Sequence, residues 1–116
     1  MIVAEVSLDE AGIVFSCSIE GHSGAGPRGS DIVCAAVSIL ARTALTTLSN
    51  MEGVVVSANA PHRGVLGFVV EKAPENGAAP AGASAFLVEG LRSVARDYPD
   101  FCIVRVRTER RQDNGN

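Results

Sequence analysis

Positive charge is scarce in this sequence. Lysine and arginine number 10 against 13 acidic residues, for a net charge of -3 and a pI near 5.3. Binding to duplex nucleic acid needs a clustered excess of Lys and Arg, so no direct nucleic-acid binding is expected. One local basic cluster exists: Arg105, Arg107, Arg110 and Arg111. It reads as a solvated strand end running into polar residues, with contact to an RNA-bearing particle as the other reading. Cysteines are few as well. Cys17, Cys34 and Cys102 are odd in number and lie far apart, where a disulfide scaffold or zinc knuckle would show close pairs. No metal or organic cofactor is called for. A positively charged leader is missing, because Glu5 stands where a basic n-region would begin. Nor does an uninterrupted apolar run approach the roughly 20 residues that cross a bilayer. The expectation is a reduced, cytoplasmic protein with no membrane partner.

What is present fits one domain. The chain has 116 residues, 47% of them apolar, enough for a core without covalent staples. No internal repeat is visible. Residues 1–116 are read as a single domain, with about 109–116 as a polar C-terminal tail.

Ile2, Ala4, Val6 and Leu8 alternate with Val3, Glu5 and Ser7, and Ile13, Phe15, Cys17 and Ile19 alternate in the same way. Both runs have the period of half-buried strands, joined as a hairpin through Asp9–Gly12. Residues 21–29 hold four glycines and a proline and predict a loop. Ser30 or Asp31 would then cap a helix running to about Asn50. Its buried stripe would be Val33, Val37, Leu40, Ala44 and Leu48. Two β-branched runs, 54–58 and 65–71, predict a second hairpin. Residues 73–83 read as a surface connection. A second helix is expected from about Ser84 to Tyr98, stopped by Pro99, and a last strand from Phe101 to Val106. The order ββαββαβ implies an α+β fold, a mostly antiparallel sheet packed with two helices.

One stretch carries chemistry: Gly21-His22, the glycine-rich loop, then Gly29-Ser30-Asp31-Ile32-Val33-Cys34-Ala35-Ala36-Val37-Ser38. Cys34 is expected in the first helical turn, where unpaired N–H groups and the helix dipole favour a thiolate. His22 ends a strand, and a short loop can fold it back toward that turn. A thiol beside an imidazole is the basic pair of cysteine-nucleophile catalysis. Spacing alone leaves a plainer alternative open, because a lone cysteine is commonly a small buried hydrophobe and a lone histidine a surface residue. A phosphate loop fits poorly. Gly24 and Gly29 have the right interval, but Ser30-Asp31 follows where Lys-Ser/Thr is required. Gly24, Gly26 and Gly29 are the candidate hinges of a loop gating the site. Asp31 and Ser38 are candidates for orienting His22 or capping the helix. Cys17 and Cys102 fall on the apolar phase of their strands and are expected in the core. His62, in the second hairpin, is expected to be exposed.

The segment from Gly21-His22 through Gly29-x-Asp31-Ile-Val-Cys34-Ala-Ala-Val-Ser38 resembles the signature of the ribosomal-processing cysteine protease family, Prp. Residues Gly90-Leu91-Arg-Ser-Val-Ala-Arg-Asp-Tyr98-Pro99 resemble that family's second helix. The resemblance implies Cys34 as nucleophile and His22 as general base. It implies an endopeptidase that removes a short N-terminal extension from the twenty-seventh protein of the large ribosomal subunit, acting as a homodimer. It also implies an apolar groove beside Cys34 for an aromatic-rich cleavage site. The alternative is a non-enzymatic ribosome-associated binding module, with the Arg cluster as its contact surface and Cys34 as packing only.

Overall fold

The computed structural model describes residues 1–21, 28–59 and 65–111, and within these the side chains of all but residues 28–31. The element order is β1 (Ile2–Leu8), β2 (Val14–Glu20), α1 (Arg28–Ser49), β3 (Val55–Asn59), β4 (Val65–Lys72), α2 (Ala78–Asp97) and β5 (Cys102–Thr108). The expected ββαββαβ order and α+β class hold. The five strands form one sheet in the order β3-β4-β2-β1-β5. Three of its pairings are antiparallel, and β5 runs parallel to β1.

The alternation in the strands sets one apolar face. Val6 lies opposite Cys17 and Val106, and Cys17 lies opposite Phe68. Ile2, Ala4, Val6, Cys17, Ile19, Phe68, Val70 and Cys102 are all buried on that face. Both helices cover it. α1 lies over β2, β3 and β4, α2 lies chiefly over β5, and both touch β1. Val33, Val37, Ala41, Ala44 and Leu48 supply the α1 side of the core, and Leu87, Val88 and Leu91 the α2 side. Leu40, expected in the buried stripe, is only partly buried.

Residues Ile32–Ser49 of α1 are long and apolar enough, with a mean hydropathy of 1.7, to cross a membrane by composition. Of this stretch 28% is buried, and the buried part is the stripe Val33, Val37, Ala41, Ala44 and Leu48 that packs on the sheet.

Two helix boundaries differ from expectation. α1 begins at Arg28, so residues 28 and 29 are helical, and neither Ser30 nor Asp31 is the cap. Gly29 is poorly helical in a helix interior, but at a first turn the N–H groups have no intrahelical partner and the penalty is small. α2 begins at Ala78, six residues before Ser84. Pro80 sits third in that helix, where its missing N–H deprives no carbonyl of a bond. Alanines on either side then favour the helix.

A buried hydroxyl ties α2 to the first hairpin. Ser84 Oγ accepts from the Val14 N–H at 2.8 Å and donates to the Pro80 carbonyl at 2.7 Å. Among the described residues, no buried side-chain nitrogen or oxygen lacks a hydrogen-bond partner.

Arg111 corrects the reading of the basic cluster. Arg105, Arg107 and Arg110 are exposed. Arg111 instead donates to the Asp9 carboxylate at 3.0 Å and to the carbonyls of Val70 and Val14. Its guanidinium also lies 4.9 Å from the centre of the Phe15 ring. The Glu109 N–H bonds the Leu8 carbonyl at 2.7 Å. The first residues of the expected polar tail are thus part of the folded domain.

Candidate active site

The site is assembled at one end of the sheet. The β2–β4 register pairs Glu20 with Val65, and the β3–β4 register pairs Asn59 with Gly67. The C-terminal end of β2 therefore lies beside the end of the second hairpin at which β3 leads on to β4. α1 starts from this same end.

Gly21 makes the exit from β2. It has φ +110°, a conformation that L side chains rarely adopt, and a Cβ there would collide with the Met1 carbonyl oxygen. Only glycine lets the chain leave the sheet here and carry His22 into the following segment. Sequence reasoning read this glycine as part of a motif and missed its backbone role. The signal was its place directly after the last alternating residue of a strand.

Cys34 is half-buried on α1 and packs against the core cluster. It is the seventh residue of the helix, in the second turn and not the first. The four N–H groups without intrahelical partners belong to Arg28–Asp31, about one turn before the thiol. Helix-dipole effects fall off within the first turn, so the support expected from the helix end is weaker at this position. Ser38, four residues on, is on the same face and also half-buried. His22, Gly24 and Gly26 lie outside the described residues, as do His62 and the side chain of Asp31. Gly29, expected in the loop, is helical.

With about 100° of turn per residue, Cys34 and Ser38 lie on one flank of the buried stripe of α1. Ile39, Leu40, Thr43 and Thr47 lie on the other. They face α2 across a groove of about 550 Å³, which Gly82, Ala83 and Phe86 close from the far side. This apolar groove was expected beside Cys34, yet it lies on the flank of α1 turned away from it. The Cys34 flank is turned instead toward β3 and the edge of the sheet.

The three thiols separate by environment. All are free. Cys17 and Cys102 are buried, as the strand phase requires. Burial pushes the Cys17 thiol up to about 12 and the Cys102 thiol upward too. Neither forms a thiolate near neutral pH, which leaves the half-buried Cys34 as the candidate nucleophile.

Residues 1–103 match the family described as cysteine protease Prp. The chain belongs to this family. The match spans β1 to α2 in full and the first two residues of β5. Comparison with curated proteins gives no match. Among solved structures, SMU.848 from Streptococcus mutans is similar, with a TM-score of 0.76 and 26% identity over 94% of this chain and 96% of that one. The essential ribosomal processing protease Prp from S. aureus, solved with a substrate peptide, has a TM-score of 0.76 at 17% identity. That match covers 91% of this chain and 99% of the other. The same protease with a covalently linked product peptide has a TM-score of 0.72 at 18% identity, with the same coverage. At these identities the S. aureus likeness is one of fold.

Arg111 lies beyond the matched residues, while its partners Asp9, Val14, Phe15 and Val70 lie within them.

Proposed function

We propose that this Prp-family chain is a cytoplasmic cysteine endopeptidase that removes a short N-terminal extension from a ribosomal protein, the twenty-seventh of the large subunit. The observation that carries the reading is a half-buried Cys34 on α1, at the sheet end where Gly21 delivers the chain to His22, within a family match over residues 1–103. The three free thiols support a reducing compartment.

In this mechanism His22 takes the proton from Cys34 Sγ, and the thiolate attacks the scissile carbonyl. The C–N bond breaks as His22 returns the proton to the leaving amine. Water, deprotonated by His22, then hydrolyses the thioester and frees the thiol. Donors for the developing oxyanion are needed within hydrogen-bond reach of the attacked carbonyl. Ser38, one turn along the same face of α1, is a candidate for orienting the pair.

The test is incubation with the ribosomal precursor of the same organism, followed by mass measurement of both fragments. Cys34→Ala should abolish cleavage with the fold intact. His22→Ala should lower it by at least about two orders of magnitude, the usual weight of a general base. Normal cleavage by Cys34→Ala would overturn the assignment.

The proposal includes a homodimer. Phe86 is 74% exposed and Ile39 58% exposed at the lips of the α1–α2 groove. A two-fold pairing would place each Phe86 in the groove of the other copy. Phe86→Glu should then shift the protein to monomer in sedimentation equilibrium. A dimer unchanged by that substitution would exclude this face.

A further inference from the structure

The two edges of the sheet are built differently. β5 is one edge, and it carries Arg105 and Arg107, with Arg107 paired to Glu109 at 2.9 Å. Charged side chains of this kind guard an edge against further strands. β3 is the other edge, and its sequence Val55-Val56-Ser57-Ala58-Asn59 contains no charge and no proline. Four of these five residues are exposed, Val55 by 45%. A bulge blunts the strand only between Val55 and Val56, at the end far from the site. Residues 56–59 pair regularly with β4, and no described element covers their outer side.

This unguarded edge is the one nearest Cys34. α1 lies over β3, and α2 occupies the opposite flank of α1 together with the groove. The Cys34 flank is therefore the β3 flank. α1 and β3 run in opposite directions through the short turn after Ser49, so Cys34 lies toward the Asn59 end. Along the helix Cys34 is about 22 Å from Ser49, at 1.5 Å per residue. β3 extends about 13 Å from Val55 to Asn59. Allowing for the helix crossing the strands obliquely, Cys34 overshoots Asn59 by roughly one to three residues of extended chain.

From this geometry we infer that the substrate polypeptide docks as a sixth strand on β3. The occupant is an extended, uncharged segment of the protein being cut. It pairs through its backbone with residues 56–59 and carries its scissile bond past Asn59 to Cys34. Main-chain bonds supply the affinity, and alternate side chains that face the helix layer meet the Ser38–Leu45 flank of α1. Recognition is thereby periodic by two, and it falls on residues to one side of the cleaved bond. This inference rests on the proteolytic reading and adds the site at which its substrate is held.

The test uses the full chain and a peptide spanning the cleavage site. Single backbone N-methyl groups are placed at successive positions from about two to six residues away on each side. Removing one backbone hydrogen bond is worth about 1.4 kcal/mol, or tenfold in kcat/KM. Losses of about tenfold at alternate positions on one side, with less than about twofold at those between, are the expected result. In parallel, Cys34→Ala with the unmodified peptide should protect alternate amides of residues 56–59 from hydrogen exchange. A flat response to N-methylation with cleavage intact would overturn the docking alone, as would protection confined to β5 or to the α1–α2 groove. No cleavage of the unmodified peptide by the wild-type chain would overturn the proteolytic reading and this inference with it.

Discussion

Arg111→Ala should destabilise the domain although it lies far from Cys34 and beyond the family match. The guanidinium is the only described link that joins the C-terminal segment to β2, β4 and the first hairpin together. The β2–β4 ladder stops at Ser16 and Val69. Arg111 bridges the gap beyond it through the Val14 and Val70 carbonyls. Removing the side chain leaves one oxygen of the buried Asp9 carboxylate without its charged donor, worth about 1.5–3 kcal/mol. Asp9 still receives the Ala11 and Ile13 N–H groups on its other oxygen, so the lower half of that range applies. The lost bond to Val70 adds about 1 kcal/mol, and the contact over Phe15 about 0.5–1 kcal/mol. Against these, an arginine released from a fixed rotamer regains up to about 2 kcal/mol of entropy. The net loss is about 2 kcal/mol, which for a domain of this size lowers Tm by about 6–10 °C. Urea unfolding of wild type, Arg111→Ala, Asp9→Asn and the double variant would measure it. The cycle should return a coupling of at least about 1 kcal/mol. Arg111→Lys should recover little, because an ammonium cannot span the carboxylate and both carbonyls. A single variant within about 0.5 kcal/mol of wild type, or a fully stable lysine variant, would refute the latch.

The remaining predictions concern thiols and glycines. Iodoacetamide near pH 6.5 should label Cys34 stoichiometrically and leave Cys17 and Cys102 untouched; equal labelling of all three in the folded protein would contradict the burial argument. Because Cys17 is raised to about 12 when folded, the unfolded chain ionises first. Its contribution to stability is therefore full below the ordinary thiol range and is lost as pH climbs from about 8.5 toward 12. Cys17→Ala should flatten that alkaline decline in a denaturation series. Gly21→Ala should cost at least about 2 kcal/mol and remove cleavage, since it sets both a left-handed strain and a collision with Met1. A stable, active variant would show that the strand exit adapts. Gly82→Ala in α2 meets nothing within 4 Å and should stabilise by about 0.5–1 kcal/mol on helix propensity, read from the urea midpoint.

Much of the fold was legible because strand phase and helix period are local properties. Alternation in 2–8 and 13–19 gave the hairpin and put Cys17 in the core, and the stripe from Val33 to Leu48 gave α1. Boundaries at Arg28 and Ala78 were not legible, because a helix end depends on which N–H groups go unpaired. That is settled by where the preceding chain is held. Spacing alone left Cys34 open between nucleophile and packing residue, and only the family resemblance favoured the nucleophile; its turn, flank and exposure were beyond the sequence.

The sequence by itself determined which residues could do chemistry and which could only pack, since both follow from residue type and period. Only the tertiary structure decided that Arg111 is a latch and not a solvated charge, because Asp9, Val14 and Val70 are brought together by strand order. Strand order likewise turned Cys34 toward the unguarded β3 edge and the apolar groove toward α2. Neither flank has a signature in the chain, because each is defined by what the neighbouring elements leave uncovered.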